Sequence, residues 1–273
     1  MVSGSWPANH HGSAVCQGGR VTTEHRVTTE RRGHVLLIRM ERPAKRNAVD
    51  AAMTAALDAA LNELEDDPDL WCGVLTGGPG MFCAGTDLGA GAGEPTPRGG
   101  NYGVVRRVRS TPLVAAVEGA AYGGGFEIVL ACDMVVAGRS ARFALPEVAR
   151  GLVANCGALF RTHRPLPLTV AKQMLLTGQP LDARRAHELG LVSELVDDGD
   201  AEAAALALAG QVCANSPVAV RATLRAVDAV VSEPDENGWR ATAVAGVVIE
   251  NSEDRAEGVA AFLEKREPRW TGR

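Results

Sequence analysis

The chain has 273 residues, of which 46% are hydrophobic, 22% charged and only 4% aromatic. That composition is globular, and the length suits one large domain, or a domain with an accessory segment, whose core needs neither disulfide nor metal to hold it. Twenty-eight basic against 33 acidic side chains leave a formal charge of −5, which excludes a protein built to coat nucleic acid or another polyanion.

Residues 1–26 contain no apolar run of signal-peptide length and no basic start, so they read as a flexible N-terminal extension. The adjacent His10 and His11, in a Gly/Ser/Asn context, read as loose tail rather than as metal ligands. Val35–Met40 is a short apolar run suited to a buried strand. Pro43 and Asn47 interrupt the chain before Val49, Met53, Leu57, Leu61 and Leu64, whose spacing predicts an amphipathic helix to about Glu65. Val74–Thr76 forms the next strand and ends in the turn cluster Gly77-Gly78-Pro79-Gly80.

Residues 89–101 carry no apolar side chain larger than alanine and predict a flexible loop. Leu113–Val117 is a further strand. A strand through Ala121-Tyr122 then runs across Gly123-Gly124-Gly125 into a helix at Phe126–Ala131, and Met134–Ala137 and Arg142–Leu145 return to strand. Beyond residue 166 helices dominate, at 168–177, 182–189, 200–214, 217–231, 236–250 and 253–265, with Ser252 placed to cap the last. The expected class is α/β with a helical appendage: a core over 27–198 and a helical C-terminal region over 199–273.

The six cysteines form no CxxC pair and read as reduced thiols, in keeping with a cytoplasmic protein. No window approaches the length of a membrane span. The common dinucleotide, P-loop, zinc-protease and serine-hydrolase motifs are absent. Cys83 and Cys156 have no matched histidine base, which argues against a thiol nucleophile, and His163 and His187 read as helix-face residues.

Chemistry concentrates in two glycine-rich stretches, Met81-Phe82-Cys83-Ala84-Gly85-Thr86-Asp87-Leu88 and Ala121 to Glu127. Three consecutive glycines at a helix start allow close backbone approach and leave the first N–H groups unpaired. One N–H from each stretch, aimed at one carbonyl oxygen, makes an oxyanion hole; tight turns alone also account for such glycines. Glu127 follows the triplet and Glu147 follows Ala144-Leu145-Pro146. Taken singly, the first is also a helix N-terminal charge and the second a turn or salt-bridge residue.

Five segments together resemble the enoyl-CoA hydratase/isomerase (crotonase) superfamily: ERPAKRNAV at 41–49, FCAGTDL at 82–88, VEGAAYGGGFEIVLACD at 117–133, ARFALPEVARGLV at 141–153 and AFLEKREPRW at 261–270. The resemblance covers roughly residues 28–273 and implies a ββα spiral core with a helical C-terminal trimerisation region, in trimers or hexamers. It places the oxyanion donors at Thr86 and Gly124 and the two hydratase glutamates at Glu127 and Glu147. It places acyl-CoA contacts at Lys45, Arg46, Ala48, Ala84, Asp87, Leu88, Phe262 and Lys265. No metal and no separate cofactor are implied, because the coenzyme A thioester is itself the substrate; nucleic-acid and membrane partners are not implied either.

By this resemblance the chain is an enoyl-CoA hydratase. A 3,2-enoyl-CoA isomerase or another acyl-CoA lyase shares the scaffold and works with one carboxylate, and a non-catalytic acyl-CoA-binding relative is the remaining alternative. Asn155 stands where glycine is common in hydratases, either turned to the reacting groups or occupying a left-handed backbone position. Of the 28 basic residues three are lysine, Lys45, Lys172 and Lys265, and the remaining 25 are arginine; two of those three lysines fall in segments that the resemblance puts beside coenzyme A.

Overall fold

The computed structural model describes residues 26–232 and 235–271. The extension before Arg26, with His10, His11 and Cys16, lies outside the described residues. Nine strands and nine helices follow in chain order among them: β1 (Val27–Arg32), β2 (Val35–Met40), α1 (Ala51–Asp66), β3 (Cys72–Thr76), β4 (Leu113–Val117), β5 (Ala120–Tyr122), α2 (Gly124–Val129), β6 (Met134–Gly138), β7 (Arg142–Ala144), α3 (Ala158–Arg161), α4 (Leu168–Thr177), β8 (Leu181–Asp182), α5 (Ala183–Glu188), β9 (Glu194–Val196), α6 (Ala201–Cys213), α7 (Pro217–Ser232), α8 (Asp235–Glu250) and α9 (Glu253–Glu264).

The main sheet has the order β1-β2-β3-β4-β6-β9, and β5, β7 and β8 make a second, smaller sheet. Only β1 runs antiparallel to its neighbour in the main sheet; β2, β3, β4, β6 and β9 pair in parallel. Parallel strands are covered on both faces, which is why β2 reads as an unbroken apolar run. Leu36, Ile38 and Met40 enter the larger core with Met53, Leu57 and Leu61 of α1. Val35 and Leu37 point the other way and pack with Val74, Val114 and Val136 beneath Ala201, Ala205 and Ala209 of α6. Small residues on α6 let the helix lie close to the sheet.

Asp50 caps α1 by accepting a hydrogen bond from the Met53 amide at 2.8 Å, a contact worth about 1 kcal/mol. Ser252 caps α9 through the Arg255 amide at 3.2 Å. Two expectations need correction. Helices dominate beyond residue 166 but strands recur there, because β8 joins β7 and β9 joins β6 through Val136–Glu194, Ala137–Leu195 and Gly138–Val196; strands of two or three residues carry too little alternation to be seen. The 89–101 loop is tied to α1 rather than loose. Thr54 Oγ1 donates to the Ala92 carbonyl at 2.6 Å and Thr96 Oγ1 to Asp58 Oδ1 at 2.7 Å, and a Cβ on Gly93 would lie 2.7 Å from Ala51 Cβ. The small side chains of that loop serve close approach. No single helix among the described residues is long and apolar enough to cross a membrane.

Candidate active site

The site begins with two loops laced together by backbone bonds. The Cys83 amide donates to the Ala120 carbonyl at 3.1 Å, the Tyr122 amide to Cys83 O at 2.9 Å, and the Gly123 amide to Ala144 O at 2.9 Å. Gly85 has φ +93°, and a Cβ there would lie 2.9 Å from Tyr122 O and 3.0 Å from the Gly124 nitrogen. Only glycine allows that approach. On the other side the Val49 amide donates to Gly85 O at 2.8 Å and the Asp87 amide to Val49 O at 3.0 Å. An extended chain alternates the direction of its amides, so Thr86 N–H faces away from Val49.

Gly124 opens α2, and its N–H precedes the first intrahelical bond. Neither the Thr86 nor the Gly124 amide has a protein acceptor among the described residues. Both residues line a cavity of about 760 Å³. Two amides without protein acceptors at one cavity wall, one at a helix N-terminus, can stabilise negative charge on a ligand oxygen.

Asn47 holds the first loop from below. Its Nδ2 donates to the carbonyls of Gly77, Met81 and Phe82 at 2.8, 3.1 and 3.1 Å, and its Oδ1 accepts from the Arg42 amide at 2.9 Å. Asp87 lines the cavity, but its carboxylate is engaged elsewhere: Oδ2 accepts from Arg42 Nη1 at 2.8 Å, and Oδ1 from the Gly89 and Ala90 amides. The Arg42 guanidinium, followed by the two amides, holds the Asp87 carboxyl below its ordinary value.

Glu127 is 2% exposed on α2. Its Oε1 accepts from the Cys156 amide at 2.7 Å and the Ala158 amide at 3.1 Å. Burial, reinforced by the charge of Glu147, pushes its carboxyl up to about 8 against those two bonds. Glu147 sits in the 3₁₀ turn Pro146–Arg150. A Cβ on Gly123 would lie 2.9 Å from Glu147 Oε1, while Oε2 is buried with no hydrogen-bond partner among the described residues. Burial pushes this carboxyl up to about 7. Burial thus disfavours the charged form of both carboxyls, and the charge of Glu147 adds to that effect at Glu127.

The cavity wall contains every residue that the resemblance assigned to the site: Lys45, Arg46, Ala48, Ala84, Thr86, Asp87, Leu88, Gly124, Glu127, Glu147, Phe262 and Lys265. It also contains Asn155, whose backbone is not left-handed. Asn155 Oδ1 accepts from the Cys156 thiol at 3.4 Å. Burial raises both neighbouring thiols, Cys83 to about 12 and Cys156 well above its ordinary value, so neither is a thiolate. Among the described residues no group of three His, Cys, Asp or Glu side chains is placed to hold a metal ion.

The sequence profile of the family described as Enoyl-CoA hydratase/isomerase matches residues 30–273. The chain belongs to that family. Among members of the enoyl-CoA hydratase/isomerase family, it is 40% identical over 254 residues to Enoyl-CoA hydratase EchA19 of Mycobacterium tuberculosis, covering 89% of this chain and 96% of that one. It is 37% identical over 255 residues to carnitinyl-CoA dehydratase of Salmonella heidelberg, covering 89% and 97%. The crystal structure of carnitinyl-CoA hydratase from Mycobacterium avium matches with a TM-score of 0.87 at 42% identity, over 92% of this chain and all of that one. As a member of this family the chain is a crotonase-fold enzyme, and these relatives are named for the addition or removal of water.

Sequence reasoning missed Tyr102 and Arg150, which line the same cavity. Arg150 lies over the Phe262 ring, 4.9 Å from its centroid, and the basic residue three positions after Glu147 was its only signal. Tyr102 had one too: a lone aromatic between Gly99-Gly100 and Gly103.

Proposed function

We propose that this enzyme adds water across the C2–C3 double bond of a 2-enoyl-CoA thioester. The observation that carries the reading is the pair of up-shifted carboxyls, Glu127 and Glu147, on the cavity wall that also presents the Thr86 and Gly124 amides. The thioester oxygen lies between the two N–H groups, which hold the enolate-like charge as it develops. Water is held between the Glu127 carboxylate and the protonated Glu147 carboxyl. Its oxygen bonds to C3, one of its protons passes to the Glu127 carboxylate, and Glu147 delivers a proton to C2. The product is a 3-hydroxyacyl thioester, and proton exchange between the carboxyls restores the starting state.

Roles within the pair follow from contacts, because the two titrate together. The two amides on Glu127 Oε1 favour its charged form, which fits water activation. The buried, unpartnered Glu147 Oε2 fits a proton-bearing oxygen. Coenzyme A enters as part of the substrate, with Lys45, Arg46, Phe262 and Lys265 at the nucleotide end. Relatives named as a hydratase and as a dehydratase fit one reversible reaction.

Glu127→Gln and Glu147→Gln are each expected to cut hydration of a short 2-enoyl-CoA by at least ~10² with the fold intact. Full hydration activity in both folded variants overturns the assignment. Double-bond migration that survives loss of one glutamate, with no hydration by the wild type, would instead identify an isomerase. We further propose self-association into trimers or hexamers, supported by the exposed Val230, Val244, Val247 and Val248 of α7 and α8; light scattering of the full chain reads it directly.

A further inference from the structure

Tyr102 has no part in the hydration scheme, yet its hydroxyl touches both halves of the oxyanion site. The residue is 5% exposed. Its backbone is left-handed, with φ 58° and ψ 5°, a conformation that residues other than glycine seldom adopt. Gly100 and Gly103 flank it at φ +66° and +73°, and a Cβ on Gly103 would lie 2.6 Å from Thr54 O of α1. A Gly99 carbonyl bonded to the Arg106 amide at 2.8 Å closes the turn.

The strained turn aims the phenol at the cavity wall. There its oxygen lies 2.9 Å from Thr86 Oγ1. A Cβ on Gly124 would come within 2.3 Å of the same oxygen. Burial, with smaller contributions from Cys156 and Glu127, raises the phenol well above its ordinary value, so it keeps its proton. One neutral hydroxyl therefore bonds one donor residue and abuts the other.

We propose that Tyr102 is a positioning residue for the oxyanion pair: its hydroxyl ties down the Thr86 side chain while its tip abuts Gly124, fixing the gap between the two amides. The inference rests on the hydration reading for the use of that gap. Donors of this kind work over a narrow range, about 2.7–3.1 Å from the charged oxygen, so a few tenths of an ångström of slack is felt in the rate and little in binding.

Tyr102→Phe keeps the ring and removes the bond; Thr86→Val removes the same bond from the other side and keeps both amides. Each is expected to lower kcat roughly tenfold, the rate equivalent of about one hydrogen bond, with KM changed less than about twofold. The double variant should be no slower than the slower single one, since one bond is lost in all three. The decisive readout needs no turnover: the infrared carbonyl stretch of a bound, carbonyl-13C-labelled saturated acyl-CoA. Wild type should move it to lower frequency, and Tyr102→Phe should return part of that shift.

An unchanged stretch and kcat in Tyr102→Phe, or additive losses in the double variant, overturns the proposal. A lowered melting temperature without a change in the stretch also overturns it, leaving a packing role. If Tyr102→Phe does not fold, Thr86→Val decides by the same two readouts. A wild type that polarises the saturated thioester through Tyr102 but hydrates no enoyl-CoA sinks the hydration reading alone. A wild type that does not polarise it sinks the oxyanion pair and Tyr102 together.

Discussion

At one end of the cavity Glu127 is 2% exposed and Tyr102 5%, whereas at the other Phe262 and Leu263 are 45% and 58% exposed. The inner end is made of backbone: two loops laced by amide–carbonyl bonds, glycines at approaches no Cβ would fit, and carboxyls whose charge burial disfavours. The outer end is made of long side chains, Lys45 and Lys265 among them. Charge development needs donors already fixed in a dry setting. A polyphosphate needs only positive charge within reach, so the outer end tolerates motion and substitution that the inner end does not.

Gly124→Ala is the most severe way to break that contrast. The new methyl would meet the Tyr102 hydroxyl at 2.3 Å, in a wall with no slack, and either the tyrosine or the helix start must move. A loss of about 10²–10³ in kcat is expected, with binding of a saturated acyl-CoA nearly unchanged by calorimetry. A variant within threefold of wild type would show that the inner end adapts as freely as the outer.

The inner end also carries a stability cost that depends on pH. Glu127 has an ordinary value of 4.5 raised to about 8 by burial, then by Glu147. The folded pair of Glu127 and Glu147 thus holds a proton that the unfolded state has already released, and the associated stability is complete below about 4.5 and declines as pH rises toward 8. Glu127→Gln removes the charge and keeps an oxygen for the Cys156 and Ala158 amides. It should therefore stabilise the protein on the alkaline side by about 1–2 kcal/mol and be nearly neutral at pH 4.5. Melting curves across that range check the sign, and a variant less stable at pH 8.5 than wild type breaks the argument.

This division also explains what could be read from the sequence. The helices of the C-terminal half follow from apolar spacing and caps, and all six expected ones are present within a residue or two of their expected limits. The glycines of the two inner loops were visible as residues, because a close approach leaves no other choice. Their convergence was not, since it is made by pairs such as Cys83–Ala120 and Val49–Gly85 that no local pattern encodes. The short strands β8 and β9 pair two or three residues each, too few for an alternation signal. Tyr102 stayed hidden for a related reason: its direction is set by a left-handed turn, and Asn-Tyr-Gly alone does not announce one.

At the outer end the smallest effects are expected, and the composition sharpens them. In a chain that uses arginine 25 times and lysine three, Lys45 and Lys265 both line the cavity, while Lys172 lies exposed on α4 away from it. An ammonium is a compact charge on a flexible stem with three rotatable donors, suited to following a phosphate that moves with the substrate. Lys265 ends α9 in a left-handed cap, φ 55°, three residues beyond Phe262, so helix and cap set where its stem begins. Both side chains are exposed, and an exposed ion contact is worth roughly 0.2–1 kcal/mol. Lys45→Ala and Lys265→Ala are accordingly expected to raise KM about two- to fivefold with kcat unchanged, and the increase should shrink as salt rises. Lys172→Ala is the internal control and should change neither constant. An equal rise in KM for all three variants would mean that only net charge matters, and the distinction between a tolerant outer end and a built inner one would have to be drawn without the lysines.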